Sequence, residues 1–128
     1  MIMVDIDKQI SYWKENADED WAVARLLLEG GRIRHSLFFA HLALEKALKA
    51  LVCKSTGDLA PRIHNLTRLI GLTGLAASSA QADVLAEMNA FHIEGRYPES
   101  LTKPPTKEEA VRYIKRAEEV LRWLTSLL

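Results

Sequence analysis

Residues 31–53 read GRIRHSLFFAHLALEKALKALVC, and the fold turns on this stretch. Wound at ~100° per residue, it is apolar almost all the way round. Ile33, Leu37, Ala40, Leu44, Ala47, Leu48 and Leu51 form one broad stripe, while Phe39, Leu42, Ala43, Ala50 and Cys53 cover much of the far side. Such a helix has to be enclosed by other helices or by a second copy of itself. Its polar content is gathered in a seam: Arg34, His41 and Glu45 fall within one narrow arc, with Lys49 at its edge and Phe38 and Val52 interleaved. Function is expected to touch that seam.

Upstream, Ile6, Ile10, Trp13, Ala17, Trp21, Ala24 and Leu28 recur at three- and four-residue steps, predicting an amphipathic helix from Val4 to Glu29. Asn16-Ala17-Asp18 is its weakest stretch and the place for a break. Asp18, Glu19 and Asp20 are expected mostly to face water. Gly30-Gly31 ends the helix, and the short link to the central one predicts an antiparallel hairpin.

Downstream, Gly57 and Pro61 stop the central helix, and a short helix fits Asn65 to Leu72. Ser79 is placed to cap a further helix carrying Ala82, Leu85, Ala86, Asn89 and Ile93 and ending near Gly95. Pro104-Pro105 makes Ser100 to Pro105 a loop. Thr106 and Glu109 then form a capping box for a last helix with the stripe Ala110, Ile114, Ala117, Leu121, Leu124 and Leu128. No alternating strand of useful length and no repeat is present. The expectation is an all-α, up-down bundle of four main helices plus one short one, a single domain over residues 1–128.

The composition narrows the function classes. With 17 basic and 17 acidic residues the formal charge is zero, so no global field draws in nucleic acid or an anionic membrane. One cysteine, Cys53, excludes an intrachain disulfide and a cysteine metal cluster, which suits a reducing cytosol. Its place in the apolar helix predicts a buried, inert thiol. No run reaches the ~20 apolar residues of a membrane span. The N-terminus MIMVDIDKQ has acids where a secretion signal needs basic residues. A cytoplasmic location follows as the expectation.

Three stretches together resemble the HEPN family (higher eukaryote and prokaryote nucleotide-binding domains) in its small prokaryotic form. They are Ala17-x-x-Asp20 with Ala24, Leu27, Leu28 and Gly30; Ser36 to Ala40 running into Ala43-Leu-Glu45-Lys46-Ala47-Leu48-Lys49; and His64-Asn-Leu66 followed by Arg96-Tyr97-Pro98-Glu99. The resemblance implies a helical bundle, usually a homodimer. It also implies, for small members, a partner nucleotidyltransferase in a toxin–antitoxin-like pair. Larger relatives are metal-independent ribonucleases whose signature is a late Arg followed, after four to six residues, by a His. Here Arg96 stands about where that Arg belongs, but no histidine follows it.

The residues themselves leave several readings open. Arg34 and His41 have the Arg–His spacing, but on the second helix; they share a face ~10 Å apart along its axis. With Glu45 one turn on, His41 could act as a general base beside an orienting carboxylate. Equally, His41 and Glu45 could be mutually satisfied polar groups at a packing or dimer seam. Lys49 pairs with Glu45 in the favourable i,i+4 order, and it either snorkels or meets a phosphate. Pro98 biases Tyr97 out of the helical region and predicts a corner. There Arg96 and Tyr97 either bind a nucleotide, through a phosphate fork and a stacked base, or form a clamp in which Arg96 ties an acid such as Asp20 or Glu45 and Tyr97 packs on the core. His64 caps the short helix or contacts ligand. His35, His41, His64 and His92 show no metal-ligand spacing, and there is no Gly-rich phosphate loop, so neither metal nor cofactor is expected. Arg112, Lys115 and Arg116 read as a solvated face. Trp13, Trp21 and Trp123 read as core or dimer anchors.

From this sequence the expected function is a homodimeric module that binds a nucleotide or an RNA end, partners a nucleotidyltransferase, or both. The alternatives are a metal-independent ribonuclease using Arg96 or Arg34 with His41, and a protein–protein scaffold without ligand.

Overall fold

Asp5 starts the first helix by accepting a hydrogen bond from the Lys8 amide, and α1 then runs without a break over Ile6–Glu29. This is seen in the computed structural model, which describes residues 4–92 and 103–128. The weak stretch at Asn16-Ala17-Asp18 stays helical because Ala17 is wholly buried, so packing overrides propensity. The chain turns at Gly31, whose φ of 75° is left-handed, and the Arg32 amide donates back to the Leu27 carbonyl at 2.8 Å.

Helix α2, Ile33–Thr56, packs against α1 over most of its length. Two polar contacts fix the hairpin. Ser36 Oγ donates to the Ala24 carbonyl at 2.7 Å in a buried position. Lys46 Nζ lies 2.7 Å from Asp20. Asp20 is therefore half-buried and paired, not in water as its acidic neighbours suggested.

Fourteen of the 24 residues of α2 are buried, including Leu37, Ala40, Ala43, Leu44, Ala47, Leu48, Ala50 and Cys53 at zero exposure. The elements that cover it are α1, the short third helix, the last helix and a short turn of 3₁₀ helix, all from the same chain. The need for enclosure is met within one chain, and the apolar circumference no longer calls for a second copy.

Gly57, with φ 68°, terminates α2. Helix α3, Leu66–Thr73, is capped by Asn65, which accepts from the Arg68 amide at 3.0 Å. Capping thus falls to Asn65 and not to His64. Helix α4, Ser79–Met88, is capped by Ser78 in a capping box with Gln81, one residue earlier than expected. Its inward residues are Val84, Leu85 and Met88, whereas Ala82 and Ala86 of the expected stripe face solvent. In a helix of ten residues a few alanines mimic a stripe, and the bulkier side chains set the face. The α-helix stops at Met88 and tightens into the 3₁₀ turn Asn89–Phe91. The expected end near Gly95 lies outside the described residues.

Helix α5, Lys107–Ser126, begins with the predicted capping box: Thr106 Oγ1 accepts from the Glu109 amide at 3.1 Å, and the Glu109 side chain accepts from the Thr106 amide at 3.0 Å. Those bonds also hold the Glu109 carboxyl below its usual range. Ala110, Ile114, Ala117, Val120, Leu121 and Leu124 are buried against α2 and α4, and Leu128 is half-buried. Trp21 donates its indole N–H to Glu118 at 3.3 Å, tying α1 to α5.

Every regular element among the described residues is helical, and no helix is long and apolar enough to cross a membrane. Cys53 is fully buried, and burial pushes its thiol upward. It is an inert core residue.

Candidate functional site

The polar seam of α2 is a buried cluster centred on the Glu45 carboxylate. Glu45 has an exposure of 4% and Lys49 of 5%, while His41 has none. Lys49 Nζ donates to Glu45 Oε2 at 3.1 Å and sits over the Trp13 ring, 5.2 Å from its centroid. On the other oxygen, Oε1, two imidazoles converge. His64 Nδ1 is 3.1 Å away, and since a carboxylate only accepts, that nitrogen carries the proton. His41 Nε2 is 3.3 Å away. The far nitrogen of His41, Nδ1, lies 3.1 Å from the Met88 carbonyl, which fixes Nδ1 as a donor.

Burial taken alone would raise the Glu45 carboxyl. The His41 contact, the Lys49 charge and the bonds from Lys49 and His64 together outweigh it and hold the group at about 2. Glu45 is therefore a fixed anion at neutral pH.

Tertiary packing brings the third imidazole. His92 follows the 3₁₀ turn, half-buried, and stacks on His64 with ring centroids 4.4 Å apart; it lies 5.0 Å from the His41 ring and 6.3 Å from that of Phe38. Asn89 positions this corner. Its side-chain carbonyl accepts from the Leu66 amide at 2.7 Å, so the start of α3 and the end of α4 are held together just where His64 and His92 leave them.

Of the residues singled out in sequence, His41, Glu45, Lys49 and His64 do come together. Arg34 is half-buried on α2 and takes no part in the cluster's ion pairs. Arg96 and Tyr97 lie outside the described residues. Asp20, one acid offered to Arg96 as a clamp, pairs with Lys46. His64 is no helix cap but the rim of the cluster, with 55% of its side chain exposed. Sequence reasoning misses His92 as a partner. The only signal for it is that it follows an apolar residue at a helix end, since no local spacing links it to His41 or His64.

A separate shallow depression of about 190 Å³ lies between α4 and α5, lined by Glu87, Glu109, Arg112, Tyr113 and Arg116. Its Arg116 is 2.6 Å from Glu87, so the basic cluster of α5 is partly neutralised there.

Residues 10–127 match the family described as HEPN domain. The chain belongs to the HEPN family. Two solved structures share the HEPN fold seen here. TT1696 from Thermus thermophilus has a TM-score of 0.79 at 22% identity, covering 94% of this chain and 98% of its own. ST0689, described as an archaeal HEPN homologue, has a TM-score of 0.73 at 21% identity, covering 92% and 96%. A search of curated proteins finds no match. At these identities the likeness is one of fold. In this HEPN chain the Ala43-Leu-Glu45-Lys46 core supplies the carboxylate on which the cluster is built.

Proposed function

We propose that this HEPN chain is a binding module for a nucleotide or an RNA end, acting as a homodimer beside a minimal nucleotidyltransferase in the cytoplasm. The observation that carries it is the complete burial of His41, with Nδ1 committed to the Met88 carbonyl. A nuclease using His41 needs that imidazole at the 2′-hydroxyl, and a side chain with no exposed surface does not reach one. What does face solvent is the His64 rim, stacked on His92 and held from behind by Glu45. A flat imidazole pair suits a nucleobase, and with Nδ1–H held by Glu45 the His64 ring keeps Nε2 to accept from a base or ribose donor. Arg96 and Tyr97, a few residues beyond His92 in sequence, are assigned the phosphate fork and a second stacking ring. The dimer and the nucleotidyltransferase partner rest on family resemblance, and a toxin–antitoxin role follows from that pairing.

Calorimetric titration of ATP, AMP and a short RNA into the full chain tests the proposal. Binding is expected, and His64→Ala and Arg96→Ala each weaken it. No binding, or variants that bind like the wild type, would refute it.

One observation favours a ribonuclease of altered design. His64 has its Nδ1 on a buried carboxylate and more than half of its side chain exposed, the arrangement of an oriented general base. EDTA-resistant RNA cleavage that disappears in His64→Ala and survives His41→Gln would establish that reading instead.

A further inference from the structure

We infer that His41, Glu45 and His92 form a site for a borderline transition-metal cation of the zinc type. The donor atoms are placed for such an ion whether or not a nucleotide is bound. One ligand atom from each of the three residues lies within 4.8 Å of the others. His41 and Glu45 are four residues apart on one face of α2, and Nε2 and Oε1 are 3.3 Å apart. Two donors on a tetrahedral zinc ion, each bound at about 2.0–2.1 Å, sit about 3.3 Å from one another. That pair already has the required spacing, and His92 needs to close by at most about 1.5 Å.

The second observation is the state of His41. Its Nδ1–H is spent on the Met88 carbonyl, so the fully buried Nε2, 3.3 Å from Oε1, turns a lone pair toward the carboxylate unless it carries a cation. A lone pair aimed at an anion is unfavourable, so a cation belongs between them, either a proton or a metal ion. An imidazole whose other nitrogen donates to a backbone carbonyl is the usual outer support of a metal-bound histidine. Lys49 and His64 complete the support. Lys49 occupies Oε2, leaving Oε1 to the metal, and the second lone pair of Oε1 accepts from His64. Two imidazoles and one carboxylate select zinc, cobalt or nickel over magnesium or calcium, which prefer all-oxygen sets. Three protein ligands leave the fourth position of a tetrahedral ion open.

The test is titration of the chelator-stripped full chain with Zn²⁺ by calorimetry and with Co²⁺ by visible absorption, without nucleotide. One saturable equivalent is expected, with the Co²⁺ bands of a tetrahedral site. His92→Ala should weaken binding at least about tenfold, and Glu45→Gln should do the same. Substitution of exposed His35 by Ala should leave binding unchanged. Far-UV circular dichroism checks the fold of each variant, and His92→Ala, which removes a half-buried side chain at a turn, carries the test if Glu45→Gln unfolds. No saturable binding, a His92→Ala variant that binds like the wild type, or equal loss in His35→Ala would overturn the site and leave a proton as the cation between His41 and Glu45.

Discussion

Replacing Glu45 by Gln keeps the shape of the side chain and removes its charge, which makes it the sharpest probe of the buried cluster. The carboxyl sits at about 2 in the folded chain against an ordinary 4.5. A folded value below the unfolded one means the charged form is favoured by folding, so the contribution is complete above the unfolded value and lost as pH falls toward the folded one. The interval corresponds to about 3 kcal/mol at neutral pH. The buried Lys49 left without its anion makes the loss no smaller, since breaking a buried pair costs about 3–5 kcal/mol. Urea unfolding followed by circular dichroism, with chelator present, measures both chains between pH 7 and pH 2. Glu45→Gln should be less stable by about 3 kcal/mol or more at pH 7, and the gap should narrow from about pH 4.5 downward as the wild type takes up its proton. Adding Lys49→Met should recover much of the loss, because the unpaired ammonium is then gone. A gap under about 0.5 kcal/mol at pH 7, within the range of ordinary surface changes, would refute the cluster as described. So would a gap that does not change with pH.

Two predictions concern the scaffold. Leu48→Ala, at a fully buried position of α2, should cost about 2–5 kcal/mol in the same unfolding assay, because the surrounding helices close only partly over the lost volume. Thr106→Ala should cost about 1 kcal/mol through loss of the α5 cap, with a higher Glu109 carboxyl by NMR titration as the check that the capping box was its cause.

Much of the fold is legible in the order of residues. The capping box at Thr106 and Glu109, the stripe of α5, the stop at Gly57 and the enclosure of α2 are properties of neighbouring residues, and local periodicity records them directly. The face of α4 is misread from sequence because ten residues give too few turns for alanines to be told from true core positions. Asp20 is misplaced because its partner, Lys46, lies on another helix.

The candidate site divides along the same line. His41, Glu45 and Lys49 recur at i,i+4 on one helix, so their alignment follows from the pitch of the chain alone. His64 reaches that carboxylate, and His92 stacks on His64, because Asn89 joins the end of α4 to the start of α3, while α3 and the 3₁₀ turn both pack on α2. Linear order therefore determined the bundle and the anion at its heart. Which imidazoles surround that anion, and which of them meets water, was decided by helices folding back on one another, through contacts between residues that no local spacing relates.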